Sequence, residues 1–139
     1  MTHAKHNEDA CVFLLENKRF NDWVITTAFY SALHYAQCEL FPFKENEIEY
    51  KTFDKYFNLT IQKFNIRQSK HATTKNLVNK NLKKSSSYYR WLFDASMSAR
   101  YNNYNVSNEK ASTAKKYLDL FKHNFPEKIA NETATAVKA

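Results

Sequence analysis

A chain of 139 residues with no glycine, two prolines and a net charge of +7 is a single domain, large enough for one core. The missing glycine excludes phosphate-binding loops that need it and argues against a sheet protein, whose hairpins and bulges draw on it. No apolar run approaches the roughly 20 residues of a membrane span, and a start bearing His3, His6, Glu8 and Asp9 is too polar for a signal peptide. The expected setting is cytoplasmic, with no membrane partner.

Residues 3–18 predict a first helix with Ala4, Asn7, Cys11, Leu14 and Leu15 near one face. Asn21 or Asp22 is the expected N-cap of a second helix over 22–41. One stripe of that helix is Ile25, Ala28, Phe29, Ala32, Leu33, Ala36 and Leu40; Trp23, Tyr30, His34, Gln37 and Phe41 project from nearly the opposite side. A helix apolar on both sides is covered on both, and Trp23, Tyr30 and His34 are the expected homodimer contacts. Pro42 stops the helix. A polar connector over 43–68 follows, with a short helix over Thr52–Phe64 whose face is Phe53, Phe57, Ile61 and Phe64.

The clearest periodicity predicts a third long helix over 69–100, with Val78, Leu82, Ser85, Tyr89, Leu92, Ser96 and Ala99 on a heptad-like seam. Asn105 or Ser107 caps a fourth, with Ala111, Ala114, Leu118, Phe121 and Phe125 along its stripe and Pro126 at its end. The expectation is an all-α, antiparallel four-helix bundle over 1–127, with a short extra helix between helices 2 and 3 and a flexible tail over 128–139.

Charge is unevenly distributed. Between Lys55 and Phe93 there is no Asp or Glu, while Lys63, Arg67, Lys70, Lys75, Lys80, Lys83, Lys84 and Arg90 all fall there. Such a block is either a solvated face or a field that attracts phosphate or an acidic partner. Cys11 and Cys38 read as reduced, buried thiols. No metal-binding motif appears, and neither a metal nor a cofactor is expected.

Arg100-Tyr101-Asn102-Asn103-Tyr104, at the end of the third helical pattern, is the best chemical candidate. Arginine grips phosphate through a planar fork, but it also neutralises helix C-termini or pairs with acids, here Asp94 or Asp22. Among the histidines, His34 is a core or interface group or points into a dimer cleft. His71 opens the third helix; if that helix ran straight, it would lie about 43 Å from Arg100, so the two would not share a site within one monomer.

Three stretches resemble the HEPN domain family of small prokaryotic helical bundles: Asp22-Trp23-Val24 leading into Phe29-Tyr30-Ser31-Ala32-Leu33-His34; Ser69-Lys70-His71; and Ser96 to Tyr104 with Arg100. The likeness spans residues 5–125. It implies a homodimer in a toxin–antitoxin or defence system, and metal-independent RNA cleavage in members carrying Arg followed four to six residues later by His. Here Asn105, Val106 and Ser107 occupy the positions of that histidine, and Tyr104, a phenol of pKa about 10, is a poor base. The resemblance therefore implies an RNA- or nucleotide-binding protein, non-catalytic or weakly active, with Arg100, Asn103, Lys80, Lys83, Lys84 and Arg90 as binding residues. Two alternatives stand beside it. One is an endoribonuclease toxin whose unconventional dimeric site uses Arg100, Tyr104 and His34; the other is a helical adaptor for a nucleotidyltransferase-type antitoxin.

Overall fold

The computed structural model describes residues 2–126, so the tail expected over 128–139 lies outside the described residues. Its helices are α1 (Thr2–Asn17), α2 (Asn21–Leu40), α3 (Phe53–Tyr56), α4 (Lys70–Asn81), α5 (Ser86–Tyr101) and α6 (Asn108–His123). A hairpin of β1 (Phe43–Glu45) and β2 (Ile48–Tyr50) follows α2, and a π-helical turn, Phe57–Gln62, extends α3. No helix among the described residues is long and apolar enough to cross a membrane.

The two-sided pattern of α2 places it at the centre, against α1, α4, α5 and α6. Val24, Ile25, Ala28, Phe29, Ala32 and Ala36 are fully buried. Small residues bring backbones close enough for cross-helix hydrogen bonds: Ser31 donates to the Ala4 carbonyl at 2.8 Å, and Ser85 to that of Phe121 at 2.8 Å. A polar clasp joins three helices. Glu8 of α1, only 8 % exposed, accepts from the Tyr35 hydroxyl of α2 and from Lys122 Nζ of α6 at 2.8 Å. Burial pushes the Glu8 carboxyl up, but the hydrogen bonds from Lys122 and Tyr35 and the lysine charge outweigh it and hold it below the usual range. Burial, then Glu8, pushes the Tyr35 phenol up.

The structure departs from the sequence expectations in four places. The all-helical expectation meets a small hairpin, with Phe43 opposite Tyr50 and Glu45 opposite Ile48. Its turn does without glycine because Asn46 and Glu47 both adopt positive φ, 51° and 65°. Asparagine tolerates this conformation better than glutamate. Glu47→Gly is therefore expected to raise stability by roughly 0.5–1 kcal/mol, seen as a higher denaturation midpoint; an unchanged midpoint would mean the turn holds no strain. The hairpin is fastened by aromatic edges, with Tyr56 at 5.5 Å from Phe43 and 5.1 Å from Tyr50.

Second, the expected regular helix over 52–64 widens at Phe57–Gln62, and the fifth-neighbour bond from Ile66 N–H to the Ile61 carbonyl (3.0 Å) follows. Phe53, Phe57 and Ile61 keep their buried face, but the altered turn carries Phe64 outward, 68 % exposed. Third, neither Asn21 nor Asp22 caps α2; the helix starts at Asn21 after Phe20 with no side-chain cap. The Asn21 amide instead donates to the Val106 carbonyl at 3.0 Å and to Asn108 Oδ1 at 2.8 Å, joining the start of α2 to the α5–α6 loop. Ser107 does cap α6, accepting from Lys110 N–H at 3.1 Å.

The fourth departure matters most. The helix expected over 69–100 is two helices, interrupted at Leu82–Ser85. Leu82 leaves helical geometry (φ −123°, ψ 56°), and the connector is held by Ser85 N–H to the Leu82 carbonyl at 3.0 Å and Ser86 Oγ to the Lys83 carbonyl at 2.8 Å. Serine hydroxyls offer the backbone this alternative to a continuous ladder. Leu82 and Ser85 stay buried across the break, so the seam is intact even though the helix is not. Helix α5 folds back along α4, with Lys75 Nζ lying 4.6 Å from the Phe93 ring centroid.

Candidate functional site

Folding back brings the first turn of α4 to the last turn of α5, so the separation of about 43 Å that a straight helix would impose does not exist. His71 packs edge-on against Phe29 and Tyr30 of α2, centroids at 5.6 and 5.9 Å. Arg100 meets the same tyrosine: its Nη1 donates to the Tyr30 hydroxyl at 2.9 Å, and the guanidinium carbon lies 5.4 Å from the ring centroid. Both residues thus contact Tyr30. Sequence reasoning placed it on a dimer face and separated His71 from Arg100.

Arg100 is half-buried, and no carboxylate among the described residues pairs with it, so neither Asp94 nor Asp22 is its partner. Its remaining contacts are with neutral groups. Nε donates to the Ser96 carbonyl at 3.4 Å, Nη2 approaches Met97 Sδ at 3.5 Å, and the Tyr101 ring lies 5.3 Å away. A guanidinium has five N–H groups; these bonds use three of them and leave one N–H on each terminal nitrogen.

Burial lowers the His71 pKa from the usual 6.5, and the Arg100 charge lowers it further. Its imidazole is therefore neutral at pH 7 and able to accept a proton. Nδ1 of His71 is buried with no hydrogen-bond partner. A cation, a neutral imidazole and a phenol thus share one corner of a single chain.

The other candidates are distributed differently. His34 stands one turn beyond Tyr30 but pairs with His3, ring centroids 5.3 Å apart, and burial followed by the His3 charge lowers its pKa. It does not contact Arg100. Tyr104 is 72 % exposed and makes no bond to Arg100 either; the tyrosine that does is Tyr30. Asn103 Oδ1 accepts from Asn105 N–H at 2.9 Å and shapes the loop. Of the expected dimer contacts, Tyr30 and His34 are half-covered within the chain, whereas Trp23 is 54 % exposed. Lys80, Lys83 and Lys84 cluster at the opposite end of α4 from His71, and Arg90 is exposed on α5.

Elsewhere, burial pushes the Cys11 thiol up to about 11, which makes it a packing group, and no disulfide joins it to Cys38. Among the described residues, no group of three or more His, Cys, Asp or Glu is placed to hold a metal ion. Comparison with protein-family models, curated proteins and solved structures finds no match.

Proposed function

We propose that the protein binds RNA through Arg100, as a HEPN-like antiparallel four-helix bundle that forms homodimers in a toxin–antitoxin or defence setting. The observation that carries this reading is the state of Arg100: anchored by Tyr30, half-open, unpaired with any carboxylate and with a donor left on each terminal nitrogen. A guanidinium so held meets a phosphate without first breaking an ion pair. Trp23, Tyr101 and Tyr104, exposed by 54, 70 and 72 %, lie on the elements that meet at this end of the molecule. They supply flat apolar surface for unstacked bases or for a second subunit.

Titrating labelled single-stranded RNA with the protein tests the reading. Binding is expected at about 50 mM salt and weakens as salt rises, because phosphate contacts release counterions. Absence of binding at low salt would overturn it and favour the adaptor for a protein partner.

A second reading, RNA cleavage, is favoured by one observation: His71 stands beside Tyr30 and Arg100 with its pKa lowered. A neutral imidazole can take the proton of an RNA 2′-hydroxyl as that oxygen attacks its own phosphorus and the 5′-oxygen leaves. Arg100 would offset the charge on the phosphoryl oxygens. His71 then replaces Tyr104 and His34 as the base candidate. Incubation with RNA in the presence of a chelator decides it. Fragments ending in 2′,3′-cyclic phosphate, formed by wild type but not by His71→Asn, support cleavage; intact RNA leaves binding alone.

A further inference from the structure

Between the hairpin and the π-helical turn lies a groove of about 590 Å³, walled mainly by apolar and aromatic side chains. Tyr56 and Ile61, both buried, form its floor. Ile48 stands on the hairpin side, and Leu59, Phe64 and Ile66 stand on the other. All four are exposed, a contiguous apolar surface of the kind that marks an interaction site. The lining shares no residue with the Arg100 corner.

The far wall is built into the backbone. The widened turn carries Phe64 outward, and Asn65 then takes a left-handed conformation (φ 53°) that reverses the chain before Ile66. Asn65 N–H donates to the Gln62 carbonyl at 3.1 Å, and the Ile66 bond to Ile61 fastens the other side of the reversal. Turns of this widened kind are frequent at functional sites. The two rims differ in charge. Glu45 lines the hairpin side, with Glu47 at the adjoining turn; Lys63 lines the other, with Arg67 next to Ile66. None of the four takes part in an ion pair among the described residues. A matching occupant is apolar where it enters, basic along the hairpin and acidic along the opposite rim.

Shape selects the class of occupant. Small-molecule sites bury about 70–90 % of their ligand, whereas walls this exposed leave a small ligand open to water. A second copy of this chain matches the charges, rim to opposite rim, but two concave faces would enclose a void. An amphipathic helix is convex, and its side chains at i, i+3 or i+4 and i+7 fill such a groove.

We propose that this groove docks an amphipathic helix of another protein, its apolar stripe flanked by basic residues on one side and acidic residues on the other. The probe is a synthetic peptide of about 18 residues, five helical turns, with leucines along the stripe, lysines on one flank and glutamates on the other. Titrated into the full chain, it is expected to bind and gain helicity, whereas a scrambled peptide of the same composition does not. Phe64→Ser is expected to weaken binding at least about tenfold and, being at an exposed position, to leave the denaturation midpoint unchanged. Lys63→Glu/Arg67→Glu makes both rims acidic and is expected to prefer, by about tenfold, a peptide with lysines on both flanks. No binding by wild type, equal binding of the scrambled peptide, or unaltered affinity in folded Phe64→Ser would overturn the proposal. An unchanged flank preference in the charge-reversed variant would overturn its charge pattern. Loss of binding in Arg100→Ala would move the peptide to the Arg100 corner, and a wild-type dimer that Phe64→Ser dissolves would give the groove to a second copy.

Discussion

Replacing Arg100 with alanine is expected to lower affinity for single-stranded RNA by about 10- to 100-fold, the worth of one charge-assisted, two-point phosphate contact. Arg100→Lys keeps the charge but loses the planar fork and the Tyr30 hydrogen bond, so it recovers only part of the affinity. Tyr30→Phe falls between wild type and Arg100→Ala, because the arginine survives while residue 30 no longer accepts a bond. Fold stability discriminates this from a packing effect. Arg100 is half-buried and bonded only to neutral partners, so its removal costs about 1 kcal/mol or less. Fluorescence anisotropy with a labelled oligonucleotide, alongside a denaturation curve for each variant, reads both quantities. Unchanged RNA affinity in a folded Arg100→Ala protein would remove Arg100 from the site.

The largest expected effect on stability comes from Glu8→Ala, a loss of about 2–4 kcal/mol. That carboxylate is nearly buried and fastens α1 to α2 and α6; without it the Tyr35 hydroxyl has no acceptor and Lys122 loses its counter-charge. Glu8→Gln, of similar shape, costs less. The same group governs acid behaviour. Its folded pKa lies below the usual 4.5, so its contribution is full above that value and is lost as pH falls through the folded pKa. His34 and His71, also lowered, act earlier: the unfolded chain takes up protons near 6.5 that the folded chain resists, so stability already falls below that pH. Denaturation midpoints at pH 7, 5.5 and 4 should fall in two stages for wild type. Glu8→Ala should keep the first stage and lose the second; a variant that retains both would show that another carboxylate is responsible.

Most of the helical framework is legible in the pattern of apolar residues, because burial follows spacing whatever the chain does between turns. Every residue of the seam from Val78 to Ala99 is buried as its spacing requires. The same fact hides the break: Leu82 and Ser85 remain in phase with the seam, and Lys83-Lys84-Ser85-Ser86 contains neither of the residues that ordinarily mark an interruption. The site suffered for it. Arg100 is visible from its residue type and position, but the nearness of His71 depends on a chain reversal that periodicity does not encode. Tyr30 is visible as an aromatic on the second face of α2, whereas its bond to Arg100 spans 70 residues of sequence. The hairpin is hidden for a related reason: Asn46 and Glu47 take backbone angles usually left to glycine.

The bend at Leu82–Ser85 also has a mechanical meaning. Helix α4 contains 12 residues, with His71 near its far tip; at 1.5 Å per residue the tip lies about 16 Å from the bend. A difference of about 10° in the bend angle would place His71 roughly 3 Å away, enough to take its ring off Phe29 and Tyr30. The fulcrum is lined by Lys83 and Lys84 and carries no packing glycine or proline to stiffen or loosen it. The angle of this one bend therefore decides where the other end of the helix delivers its imidazole, and the buried Thr73, Thr74, Leu77 and Val78 hold it there.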